Sequence, residues 1–380
     1  MDFTAPVPDP DLAVTVNQPT PDTRIIAMSF QDHILPRVSR TFALTIPQLP
    51  AGLREIVGNA YLLCRIADTI EDDPGLDLDT KLRFEREFAA IVLGTGSAEH
   101  FAAEVHPRLS QQMSADEHEL IRNAAQVLAV TAGFGAQHRA VLARCLNLMC
   151  DGMLRFQQHA GRAGLRDQSE LDEYCYYVAG VVGELLTELF CLHDPRIAAR
   201  REALMALAVS FGEGLQMTNI LKDVWEDLAR GVCWLPRETF ARHGYDLDQL
   251  APGCTDPRFH AGYRELLGIA HAHLRNALRY TQTLPPEQAG IRRFCAWAIG
   301  MAALTLDRIA ATPAFASGQD VKISRGAVGR TVFLTRLGIG SDGWLAWLFA
   351  RATHRLPLAT LAPGWDGFVS AAHTDLTRTA

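Results

Sequence analysis

Apolar residues recur at helical spacing along most of the chain. Over Leu53–Asp72 they fall at Leu53, Ile56, Val57, Ala60, Tyr61, Leu63, Cys64 and Ala67, one face of a helix that Pro74-Gly75 stops. The same period predicts helices over Gln31–Val38, Lys81–Leu93, His118–Val130 and Ala136–Gln158. It continues over Leu171–Leu192, Ala203–Leu228, Phe259–Tyr280 and Ile291–Ala311. Leu171–Leu192 is apolar nearly all round, which places it in the centre of a bundle. No segment keeps a two-residue alternation, and no repeat of 20–50 residues is present. The pattern therefore predicts an all-α protein, a single large helical bundle over residues 30–335. Residues 1–29, with five prolines by Pro21, read as a disordered leader, and 336–380 as a C-terminal tail.

The 380 residues carry 36 basic and 43 acidic side chains, net −7. That balance argues against a general nucleic-acid binder, which needs a basic face for phosphates. Eight cysteines lie far apart without a C-x-x-C pair or zinc spacing, and read as reduced core residues of a cytoplasmic protein. The N-terminus lacks the basic start and apolar run of a secretory signal, and no stretch of about 18 apolar residues marks a membrane span.

The chemistry concentrates in two acidic pairs. Asp68 and Asp72 stand four residues apart inside one helical stretch, and Asp223 and Asp227 repeat the spacing in another. Residues i and i+4 share a helix face, and like charges there destabilise a bare helix unless a cation offsets them. Carboxylate oxygens are hard ligands and favour Mg2+, which completes its shell with water and substrate phosphates. Two pairs facing each other would hold Mg2+ around a diphosphate. Arg65, one turn before Asp68, is the best cationic partner; Arg40 and Lys222 are others.

Four blocks in order resemble the squalene/phytoene synthase family. They are Ser39-Arg40-Thr41-Phe42, Tyr61 through Asp73, Tyr174 through Gly183, and Gln216 through Asp227. The resemblance implies a bundle of the isoprenoid synthase type whose central cavity accepts two prenyl diphosphates. It implies metal ligation by Asp68, Asp72, Asp223 and Asp227, with Asn219 as a further ligand. Ser39, Arg40, Phe42 and Arg65 would contact diphosphate, with Lys222 beside them. Gln216, Val178, Val182, Leu186 and Phe294 would line an apolar cavity that keeps water from an allylic carbocation. Tyr174, with Tyr61 and the diphosphate, would take part in the proton loss that closes a cyclopropane.

Two later stretches resemble the squalene synthases of that family, which reduce the cyclopropyl (presqualene) diphosphate with NADPH. These are Phe294 through Leu306, and Val321 through Gly326, whose Lys322 and Arg325 would meet the NADPH phosphate. Asn219 is also a candidate on the cofactor side. The expected activity is Mg2+-dependent condensation of two farnesyl diphosphates followed by reduction to squalene. The alternatives are a non-reducing phytoene or dehydrosqualene synthase, and a non-catalytic relative, which would be expected to lose the aspartates. Val232, where the family often has arginine after the glycine, is a departure, and Arg230 lies on the other side of Gly231.

Three further features compete for attention. Gly338 through Gly343 match G-x-G-x-x-G, with a strand-like Thr331–Leu337 before them, but a dinucleotide fold needs a parallel sheet, so a glycine-rich helix end is the better reading. Glu184 and Glu188 form a third acidic pair, read as structural. Residues 321–380 carry seven basic and three acidic side chains, and Trp344 through Arg351 could lie on a membrane surface as a peripheral contact.

Overall fold

A computed structural model describes residues 21–39, 41–158 and 161–361. Seventeen α-helices and no β-strand occur among the described residues. They are α1 (Pro21–Val38), α2 (Phe42–Thr45), α3 (Ala51–Asp72), α4 (Leu78–Val92), α5 (Ala98–Val105) and α6 (Ala115–Arg122). Then come α7 (Ala124–Ala132), α8 (Ala136–Gln157), α9 (Gln168–Cys175), α10 (Val181–His193), α11 (Pro195–Ala198) and α12 (Arg201–Ala229). The last are α13 (Arg237–Arg242), α14 (Pro257–Thr283), α15 (Ala289–Ala311), α16 (Arg325–Leu337) and α17 (Asp342–Ala352). Arg40 and the leader residues 1–20 lie outside the described residues, as do 362–380.

The helical periods translate into burial. Along α3, Leu53, Ile56, Val57, Ala60, Leu63, Ile66, Ala67 and Ile70 are buried at steps of three and four. The 29-residue α12 packs against α10, α14 and α15. Between α9 and α10 one π-helical turn, Tyr176–Gly180, widens the ladder without breaking the helix. The turn and α10 meet α12 backbone to backbone. A Cβ on Gly183 would lie 2.0 Å from the carbonyl oxygen of Ala208, and one on Gly212 would lie 2.1 Å from that of Ala179. No side chain fits into that seam, so glycine fixes how close the two central helices come.

Several sequence boundaries need correction. The leader does not run to residue 29, because α1 begins at Pro21, a first-turn position that proline tolerates. The bundle does not end at 335, which falls inside α16. Thr331–Leu337 is helical and Gly338 caps that helix, as the reading of the glycines as a helix end expects. The segment after 335 also folds back as part of the domain. Arg292 donates from Nε to the Ile339 carbonyl at 2.8 Å and pairs with Asp342 at 2.5 Å. His271 Nδ1 lies 2.8 Å from the Pro357 carbonyl oxygen, and the Ala359 amide donates to Gly268 at 3.2 Å. Contrary to the sequence count, the Gln168–His193 and Ala289–Ala311 stretches are long and apolar enough to cross a membrane. In the fold more than half of each is buried within the bundle. All eight cysteines are free thiols, five of them buried.

Candidate active site

The first acidic pair sits at the C-terminal end of α3. The helix stops because Asp73 turns inward: its carboxylate accepts the Gly75 amide at 2.7 Å and the Ser110 amide at 2.8 Å. Asp73, inside the same motif, thus secures the loop and leaves Asp68 and Asp72 open. The second pair occupies the last two turns of α12. That helix closes at Gly231, whose φ of +90° suits glycine, and the Val232 amide returns to the Asp227 carbonyl at 3.0 Å. The turn directs Arg230 back over the helix end.

Arg230 joins the two walls. Its guanidinium donates to Asp72 at 2.8 Å and to Asp227 at 2.5 Å. A single rigid fork with a carboxylate on each arm keeps those two groups within about 8 Å of one another. The aspartate side chains differ in access: 39% of Asp68, 44% of Asp72 and 37% of Asp223 are exposed, against 9% of Asp227. Asp68 is open to solvent yet enclosed by protein. Burial, with Asp72 and Glu117 adding, outweighs Arg65 and pushes its carboxyl up to about 7. Burial likewise lifts Asp227 to about 6 against the opposing pull of Arg230, and raises Asp223 against that of Lys222. Charge crowding of this kind favours a bound cation.

The basic residues are already engaged. Arg65 is paired with Glu117 of α6 and lies 3.9 Å from Asp68. Lys222 Nζ is 2.8 Å from Asp223. Asn219 is exposed one turn before Asp223, on the same face, and Gln216 is half-buried. Glu226, between the second pair, accepts the Gly318 amide at 2.8 Å. That contact brings the loop after α15 against α12, with Gly318 close beside Asp223. Lys322 and Arg325 follow that loop, both exposed, at the start of α16.

Apolar and aromatic side chains fill the space between these walls. Ser39 Oγ accepts the Phe42 amide at 3.0 Å, and the Tyr61 hydroxyl donates to the Val38 carbonyl at 2.9 Å. Phe42 leans on Tyr61, ring centroids 5.1 Å apart, and reaches Phe294 at 6.4 Å. Phe42, Tyr61, Cys64, Val178, Val182, Leu186 and Leu215 remain half-buried although their helices pack together centrally, so each keeps part of its surface accessible. Phe294 is fully packed, against Phe190 as well. Tyr174 stacks on Trp234 at 4.0 Å and meets Phe156 edge-on. Burial, then the charges of Glu71, Asp72 and Asp227, hold its hydroxyl well above the ordinary tyrosine range, so it stays protonated at neutral pH. The third acidic pair is structural: Glu184 takes Arg144 at 3.0 Å, and Glu188 pairs with Arg201.

Sequence reasoning missed Arg230 as the cross-link, Glu117 as the partner of Arg65, and Glu226 as the loop anchor. Their pairings span 158, 52 and 92 residues, and no local spacing signals them.

The family profile described as Squalene/phytoene synthase matches residues 35–327. The squalene synthase of Schizosaccharomyces pombe is 29% identical over 287 residues, 74% of this chain and 59% of that protein. The squalene synthase of Eremothecium gossypii is 31% identical over 72% of this chain and 60% of that protein. The chain thus spans about three fifths of the length of these curated relatives. Among solved structures, the complex of TcSQS with the ligand BPH1237 superposes with a TM-score of 0.67 at 23% identity, covering 87% of this chain and 98% of that one. A ligand complex of a dehydrosqualene synthase gives 0.57 at 20% identity, covering 83% and 97%. Both show a shared fold.

Proposed function

Because the chain belongs to the squalene/phytoene synthase family, we propose that it condenses two farnesyl diphosphates head to head and reduces the cyclopropyl diphosphate to squalene. The observation that carries this reading is the pair of acidic walls bridged by Arg230, with the half-buried rings of Phe42 and Tyr61 on and beside α3. The donors fit Mg2+: all are hard oxygens, four of them from mutually crowded carboxylates with a cation already between two of them. Asp68 and Asp72 on one wall, and Asn219, Asp223 and Asp227 on the other, would hold it. Lys322, in the loop that Gly318 anchors to Glu226, and Arg325, the first residue of α16, are both exposed and fit the phosphate of NADPH. Bound Mg2+ would supply charge that stabilises a departing diphosphate, and NADPH would supply hydride for the second step.

The chain's own residues do the rest. Arg65 and Lys222 orient the diphosphates from the two walls, with Ser39 fixing the turn that presents Phe42. Tyr61, Phe42, Val178 and Val182 exclude water from the carbocation, and the two rings offer their negative faces to it. Tyr174, held protonated and stacked on Trp234, donates a hydrogen bond, so the departing diphosphate is the better proton acceptor. Purified protein with farnesyl diphosphate and Mg2+, with and without NADPH, tests the reading. Squalene formed only with NADPH is the expected product. Dehydrosqualene with or without NADPH would replace this reading with the non-reducing one, and no hydrocarbon at all would favour the non-catalytic one.

We also propose that the α16–α17 face touches a membrane. A cavity of about 410 Å3 lies between α15, α16 and α17, lined by Ile299, Ala303, Leu334 and Leu348, with exposed Arg330, Arg351 and His354. Phe333, Leu337 and Trp347 stand exposed on the same helices. Apolar tips among arginines suit an anionic interface and an oily product. Co-sedimentation with phosphatidylserine vesicles should exceed that with phosphatidylcholine and fall in Trp347→Ser; equal sedimentation would reject the contact.

A further inference from the structure

We propose that Arg230 is a resident counter-cation, which clamps α3 to α12 in the metal-free protein and yields both carboxylates when divalent metal loads. The proposal rests on the reading of the aspartates as metal ligands. Three observations carry it. First, one guanidinium serves two carboxylates from helices far apart in sequence, at 2.8 and 2.5 Å. Second, among the described residues neither Asp72 nor Asp227 forms another ion pair, whereas Asp68 and Asp223 each have a cation from their own helix. Among the described residues, Arg230 alone therefore pairs with an aspartate of each wall. Third, its side chain is half-exposed and follows the last residue of α12, next to the glycine turn, so it can swing from the two carboxylates towards solvent.

A metal ion and a guanidinium cannot both occupy the space between Asp72 and Asp227. The two compete, and whatever affinity Arg230 has for the carboxylates is subtracted from that of the metal. Once released, the same fork matches two oxygens of a diphosphate as well as it matched two carboxylates. Arg230 thus keeps the acidic mouth assembled before metal arrives, and faces the diphosphate after it has.

The test uses the full chain. Arg230→Met keeps the aliphatic stem and removes the charge. Titration calorimetry with Mg2+ alone should show affinity raised about fivefold in Arg230→Met, the effect of losing a partly exposed pair on one competing ligand. The midpoint of thermal unfolding in EDTA should fall, and the rise on adding Mg2+ should exceed that of wild type. With Mg2+ and inorganic pyrophosphate together, the variant should bind pyrophosphate more weakly than wild type. Arg230→Lys, a point charge that cannot fork across both carboxylates, should bind Mg2+ with intermediate affinity, and it serves alone if the methionine variant fails to fold. Unchanged or weaker Mg2+ binding in Arg230→Met, with Asp72→Asn still weakening it, would overturn the counter-cation role. If Asp72→Asn leaves Mg2+ binding untouched, the metal-site reading itself fails.

Discussion

Glu85 of α4 is a buried acid whose ionisation sets a pH limit on the metal-free fold. It is 1% exposed, and neither carboxylate oxygen has a partner with hydrogen-bond geometry. Burial, against the opposing effect of the nearby Cys150 thiol and with Asp68 adding to it, pushes its carboxyl up to about 8. The sign follows from proton counting. Between its ordinary value of 4.5 and about 8 the folded protein keeps this proton and the unfolded chain releases it. Stability from this group is therefore full below that window, falls as pH rises through it, and levels off above. At about 1.4 kcal/mol per pH unit the full displacement would reach roughly 5 kcal/mol, and local relaxation trims it to about 2. Glu85→Gln removes the ionisation at nearly constant volume. Urea unfolding in EDTA at pH 5, 6.5 and 8 should give variant and wild type similar stabilities at pH 5, with the variant more stable by about 2 kcal/mol at pH 8. Parallel pH profiles for the two proteins would refute the reasoning.

Three further outcomes are expected. Asp72→Asn and Asp223→Asn should each lower turnover at least a hundredfold with an unchanged far-UV circular dichroism spectrum; full activity in either would remove that residue from the metal site. Tyr174→Phe should keep the stack on Trp234, and so the fold, while lowering kcat about tenfold to a hundredfold; wild-type kcat would show that the hydroxyl takes no part. Gly183→Ala forces a methyl to 2.0 Å from the Ala208 carbonyl oxygen, so the melting temperature should fall by an amount corresponding to about 3 kcal/mol or more; a shift near zero would mean that the seam can open.

The long helices were legible because their burial is one-sided and periodic. Ala51–Asp72 begins and ends within two residues of the stretch marked by apolar spacing. Short helices such as Ala98–Val105 were not, since eight residues hold too few turns to show a period. At α16, β-branched Thr331 and Val332 and the following glycines imitate a strand, and packing on α15 overrides that local preference. The aspartates were legible from i,i+4 spacing, which is a property of one helix. What neutralises them was not, because the Arg230 and Glu117 contacts depend on which helices the fold brings together. Asp73 shows the converse: it belongs to the same acidic block, yet its two accepted amides make it a loop anchor.

The glycine seam between the π turn and α12 constrains how the proposed cavity can evolve. Where backbone meets backbone no side chain is available for exchange, so that wall has no adjustable dimension. On the proposed reading, a change in the length of prenyl chain admitted would come from half-buried residues beside it, such as Val178 and Val182, or from Phe42. The seam is thus a fixed datum, against which drift in substrate size is confined to a few positions.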